Sequence, residues 1–172
     1  MPLDHLWATW RSVYINQVSD SRTSPTEAEA DGRSLFERIL MAEGDDDEKH
    51  ILVRREHCFV LLNRFPYTSG HLMVLPNRAE PTLEGLSEAE QGEMWSLVRE
   101  AVVALKAEFG CEGVNVGINL GIAAGGSQAD HLHVHCVPRW VGDANFVGVI
   151  AETRVLPISL DDAWSRLKVA WP

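Results

Sequence analysis

Three histidines stand at alternate positions in the segment His131-Leu132-His133-Val134-His135-Cys136-Val137-Pro138-Arg139-Trp140. An extended chain sends successive side chains to opposite faces. This spacing therefore puts His131, His133 and His135 on one side and Leu132, Val134 and Cys136 on the other. On a strand, imidazoles two residues apart are separated by about 6.5–7 Å. The chain has seven histidines, and three of them fall within five residues. As mere structure such a row is demanding, because all its buried ring nitrogens would need partners. Two chemistries suit it better. A neutral imidazole is a covalent nucleophile, and His-x-His on a strand is a ligand geometry for zinc or iron. Metal sites commonly recruit a carboxylate or thiolate as well. No Cys-x-x-Cys or Glu-x-x-His accompanies this row, and Cys136 faces away from it. The expectation is that no metal is bound.

The row needs a rigid frame, and the flanking sequence supplies one. Gly113-Val114-Asn115-Val116-Gly117-Ile118-Asn119 alternates as a strand and feeds a loop from Gly121 to Ser127 that leads into the triad. This loop matches neither a phosphate-binding Walker loop nor a dinucleotide fingerprint. Read structurally, it is a permissive connection. Read functionally, its small residues let backbone amides and the Ser127 hydroxyl approach an anion. Upstream, Ile51–Arg54 and Cys58–Asn63 read as strands around a turn, and His71–Pro76 as a further strand. Pro66–Gly70 has strong turn chemistry. Ser87-Glu88-Ala89-Glu90 is a capping box that opens a long helix, and Gly110 ends it. That helix shows an apolar face of Met94, Trp95, Val98, Ala101, Val102, Leu105 and Phe109. Shorter helices are expected at residues 35–41 and 159–171, the latter carrying Trp164, Leu167 and Trp171. Residues 3, 6, 7 and 10 have helical spacing, residues 19–33 read as a surface loop, and Asp45–Glu48 as a solvated acidic turn.

Composition narrows the class. With 172 residues and 45% hydrophobic content the chain can bury a real core, and residues 1–172 are expected to form a single domain. A net charge of −10 disfavours sequence-independent binding to nucleic acid, which needs a basic footprint. A small polyanion remains acceptable if the site itself is locally positive. Three cysteines without metal spacing, and no secretory leader, point to reduced thiols and a cytoplasmic location. No apolar run approaches the roughly 20 residues of a membrane span.

The segment His-Leu-His-Val-His-Cys-Val resembles the signature of the histidine triad (HIT) family: His, apolar, His, apolar, His, apolar, apolar. The likeness extends upstream to Phe59-Val60-Leu61-Leu62-Asn63-Arg64 and Gly70-His71-Leu72-Met73-Val74-Leu75-Pro76, and spans about residues 50–150. The resemblance implies an α+β fold, an antiparallel sheet of about five strands flanked by helices, in a homodimer or higher homo-oligomer. It implies nucleotidyl transfer through a covalent intermediate on His133. His135 would bond the phosphate or leaving oxygen, and His131 and His71 would fix ring tautomers. Asn63 falls where the family binds ribose hydroxyls, though a strand-end amide can equally cap a turn. Many hydrolytic members have Gly-Gln where this chain has Gly126-Ser127. The segment from Arg139 to Phe146 resembles an actinobacterial branch that phosphorolyses diadenosine tetraphosphate to ATP and ADP. That likeness implies a phosphate site at Asn119, Gly126 and Ser127, with Trp140 walling the nucleotide or else anchoring the core. Nucleotide and inorganic phosphate are then the small-molecule partners. No cofactor is obligatory, although a divalent cation can accompany the polyphosphate. Two other readings stay open: a hydrolase releasing AMP, and a metal-binding or nucleotide-sensing protein.

Overall fold

The computed structural model describes residues 32–126, 128–143 and 156–172. The helix expected near residues 3–10 and most of the 19–33 loop lie outside these residues. So do Ser127 and the segment from Ala144 to Phe146. The chain divides into Met1–Arg33 and Ser34–Pro172, and everything below concerns the second unit.

Five strands form one sheet: β1 (Ile51–Arg54), β2 (Cys58–Leu62), β3 (Leu72–Pro76), β4 (Gly113–Ile118) and β5 (Val134–Arg139). Their order is β1-β2-β3-β5-β4, and every pairing is antiparallel. The last strand thus slots between β3 and β4. His135 lies opposite Met73 of β3 and opposite Gly117 of β4.

Period-two alternation divides the sheet's side chains between two cores. Cys58, Val60, Leu62, Leu72, Val74, Val134 and Cys136 face a cluster that includes Met94, Leu97, Ala101 and Leu105. Phe59, Leu61, Met73 and Leu75 face a smaller cluster with Phe36, Ile39 and Leu40. Because both faces are covered, β2 and β3 read as continuous apolar runs rather than alternating ones.

Three helices among the described residues cover these faces: α1 (Leu35–Met41), α2 (Glu88–Phe109) and α3 (Leu160–Ala170). Ser87 and Glu90 form the expected capping box on α2, and Gly110 ends it in the left-handed region at φ 56°. The expected apolar face needs one correction. Trp95 is 47% exposed, whereas Leu97 and Ala104 are fully buried. The buried stripe runs 94, 97, 98, 101, 104, 105, and Trp95 lies about 100° round the helix from Met94. Helix α3 caps the outer edge of the sheet. Trp164 Nε1 donates to Ile51 O (3.0 Å) and Lys168 Nζ to Leu52 O (2.6 Å). No helix of the described residues is long and apolar enough to cross a membrane.

Candidate active site

Strand β5 begins only at Val134, so His131 and His133 precede the strand instead of lying within it. The alternation survives all the same. Leu132 and Val134 enter the larger core, while His131 and His133 pack on Phe36 of α1 at centroid distances of 5.5 and 5.4 Å. The spacing expected of a regular strand is corrected too. The rings of His133 and His135 approach to 4.8 Å at 82°, edge to face. A fourth imidazole, His71 immediately before β3, lies 5.1 Å from His135.

Hydrogen bonds fix where each ring carries its proton. Phe65 N donates to Asn63 Oδ1 (2.9 Å), so the Asn63 amide turns its Nδ2 toward His71 Nδ1 (3.4 Å). Tyr67 N donates to the same Nδ1 at 3.2 Å. A nitrogen that meets two N–H donors carries no proton, so His71 is protonated on Nε2. That N–H points at His135 Nδ1, 3.0 Å away. His135 therefore holds its own proton on Nε2. Burial, and then the neighbouring His133, pull its pKa down to about 4, so the ring is neutral near pH 7. His135 Nε2 is buried and has no partner among the described residues. It is a donor with nothing yet to donate to, an arrangement that costs about 1–3 kcal/mol.

The other two rings follow the same logic. His131 Nε2 faces Pro76 O (2.9 Å), which can only accept, so the proton lies on Nε2. Its Nδ1 meets the Ser34 hydroxyl at 2.7 Å. The ring is fully buried, and burial lowers its pKa. His133 Nδ1 donates to His131 O at 2.9 Å, which leaves the Nε2 lone pair for chemistry. His133 Nε2 makes no hydrogen bond among the described residues. A bare imidazole nitrogen thus stands beside a ring that presents an N–H. This pair can attack an electrophile and bond the oxygen that leaves it.

The remaining expected residues divide. Asn63 and His71 join the imidazole cluster, and Asn63 also caps its turn through Phe65 N. Trp140 does not join it. Its indole packs against the larger core and donates to Phe109 O at 3.3 Å, at the end of α2. Gly126 is buried in the loop, where its N–H donates to Gly121 O (3.3 Å), so that amide is used within the turn. A Cβ at Gly126 would lie 3.2 Å from Asn119 O, so these two candidates are neighbours. Ser127 lies outside the described residues. Three residues at the site were not anticipated: Ser34, Phe36 and Tyr67. Tyr67 stacks on His135 at 5.9 Å and packs on His71 at 4.6 Å. A Ser-x-x-Glu box at 34–37 was a readable sign for the first of them.

Among the described residues no three His, Cys, Asp or Glu side chains are grouped to hold a metal ion. Burial pushes the Cys136 thiol up to about 12, so it stays protonated and inert.

The HIT domain matches residues 45–141, more than half of the chain and the stretch that holds every imidazole of the cluster. The chain belongs to the HIT family. It is 37% identical over 169 residues to a Mycobacterium tuberculosis protein named AP-4-A phosphorylase, covering 98% of this chain and 85% of that one. It is 31% identical over 93 residues to an asymmetrical bis(5'-nucleosyl)-tetraphosphatase of Schizosaccharomyces pombe, over 54% of this chain and 50% of the relative. The fold matches a zinc-bound histidine triad family protein from Mycobacterium smegmatis with a TM-score of 0.59. That match has 22% identity and covers 92% of this chain and 91% of the other.

Proposed function

We propose that this HIT protein phosphorolyses diadenosine tetraphosphate to ATP and ADP through a nucleotidyl-His133 intermediate. The observation that carries the reading is that His133, whose Nδ1 is tied to His131 O, leaves its Nε2 without a hydrogen bond beside a buried His135 Nε2 that also has none among the described residues. His133 Nε2 attacks an α-phosphorus. The bond to the bridging oxygen breaks, and ATP leaves with that oxygen hydrogen-bonded by His135. The positive charge that develops on His133 is steadied by His131 O, which already accepts its Nδ1–H. A phosphate oxygen then attacks the same phosphorus, the P–N bond breaks, ADP forms and His133 is restored. Catalysis here is positioning and charge stabilisation. A divalent cation can ride with the polyphosphate, and no step is assigned to it.

Asn63 stands close enough to His71 to hold ribose hydroxyls beside the cluster. Phosphate recognition falls on the side chains of Asn119 and Ser127, because the Gly126 amide is already engaged. The reading includes a homodimer, and a reducing cytoplasm that suits three free, buried cysteines.

Product analysis tests the reaction. Wild-type protein given diadenosine tetraphosphate is expected to yield ATP and ADP in a phosphate-dependent manner. His133→Ala is expected to bind nucleotide without turnover. AMP plus ATP at one rate with or without phosphate would make the protein a hydrolase, the reading favoured by the fission-yeast relative's name.

A further inference from the structure

We propose that Ser34 is a positioning residue for the nucleophile, acting through His131. This rests on the reading of His133 as the attacking group. Ser34 is 97 residues distant in sequence from His131 and only 4% exposed. Its Oγ accepts the Glu37 amide at 3.1 Å as the N-cap of α1. The hydroxyl proton is therefore free to go to His131 Nδ1, 2.7 Å away. His131 Nε2–H goes to Pro76 O, so both nitrogens of this fully buried ring are satisfied. With both ends held, the ring can neither flip nor change tautomer.

The consequence reaches His133 through the backbone. The carbonyl of His131 accepts His133 Nδ1–H, and that bond leaves Nε2 bare for attack. Removing the Ser34 hydroxyl strands a buried acceptor at His131 Nδ1. The ring can escape only by rotating, by taking a second proton or by shifting its backbone. Each escape disturbs the carbonyl that sets the His133 tautomer. Glu37 and Asp130 lie near enough to favour the second proton, and His133 opposes it. Phe36, one residue beyond the hydroxyl-bearing Ser34 and its neighbour Leu35, packs on both imidazoles and ties α1 to the same pair. One cap thus serves the helix and the site together.

A cap with no role in positioning makes a different forecast, and substitution separates the two. Asp is as good an N-cap as Ser but has no proton to give His131 Nδ1. Thr keeps the hydroxyl. Ser34→Thr should hold kcat within about threefold, while Ser34→Asp and Ser34→Ala should lower it about tenfold or more with KM little changed. Imidazole 15N spectra of labelled, full-length protein supply the second measurement. Wild type and Ser34→Thr should show His133 protonated on Nδ1 and His131 on Nε2. In Ser34→Asp, His131 should carry two protons or the His133 pattern should become mixed. If Ser34→Asp turns over like wild type with the His133 pattern unchanged, Ser34 is only a helix cap. Should Ser34→Ala fail to fold, the Asp and Thr variants still decide. If wild type shows no phosphate-dependent turnover, the functional reading fails by itself, and the spectra still test the link from Ser34 to His133.

Discussion

At the scale of single residues, the site is a set of proton positions. Backbone groups that can only donate or only accept dictate the tautomers: Tyr67 N at His71, Pro76 O at His131, and His131 O at His133. The His71 assignment passes on to His135, which is left with an N–H on Nε2 and no partner among the described residues. The cost of that arrangement should be visible in stability. In the fold, His135 has a pKa near 4 against an ordinary 6.5, so the unfolded chain binds its proton first as pH falls. The contribution is fully present above the unfolded pKa of 6.5. It declines as pH drops toward 4 and levels off once the folded ring also protonates. For a shift of this size the loss between pH 7 and pH 5 is about 2 kcal/mol. Burial lowers the pKa of His131 as well and adds in the same direction. Urea denaturation at the two pH values should show this fall, and His135→Asn should flatten it. A wild-type protein equally stable at both would mean that the ring is solvated and not held neutral by burial.

Elements rather than residues decide how much of this could be read in advance. The five strands, the capped long helix and its Gly110 stop were legible, because period and capping chemistry are local. The side on which the histidines gather was legible for the same reason. The geometry of the cluster was not. It depends on β5 slotting between β3 and β4 and on α1 packing over the far face, contacts between segments distant in sequence. Trp140 marks that boundary well. Its place after the triad is compatible with a nucleotide wall or a core anchor, and the strand's parity turns it toward Phe109 and the core. Gly70 shows how tightly the elements meet. It has φ 82°, and a Cβ there would come within 2.5 Å of the Phe109 ring at the end of α2. The same loop delivers Tyr67 N to His71. Gly70→Ala should therefore destabilise the protein by about 2–3 kcal/mol, from overpacking together with an unfavourable φ. It should lower kcat as well. Adding Phe109→Ala removes the overlap but not the backbone strain, so the double variant should recover only part of the lost activity. Recovery measured by thermal denaturation and initial rates would apportion the two effects, and an unperturbed Gly70→Ala would show that the loop can yield.

For the whole molecule, the informative contrast is between the two edges of the sheet. The β1 edge is closed by α3, whose Trp164 and Lys168 donate to Ile51 O and Leu52 O. The β4 edge has no such cover: among the described residues its backbone bonds only to β5. Asn115, Val116 and Gly117 are exposed along it, and Leu120 and Ile122 just beyond are 46% and 55% exposed. An uncovered strand edge with apolar neighbours is a template for pairing with another chain. A second copy presents the same edge, and two-fold symmetry lets β4 pair with its own counterpart in a closed dimer rather than an open fibre. The net charge of −10 opposes association at long range, so the contact has to come from backbone pairing and apolar burial. Light scattering after size exclusion should accordingly give twice the chain mass at micromolar concentration, with added salt strengthening the association as it screens the repulsion. Val116→Lys places a charge on the edge strand, a device that blocks such pairing. It should yield a monomer whose far-ultraviolet circular dichroism matches wild type, since Val116 is 41% exposed and lies outside the buried clusters. A wild-type monomer, or a dimer untouched by Val116→Lys, would remove β4 as the interface. The imidazole relay within one chain would be unaffected, because every bond in it is made by residues of Ser34–Pro172.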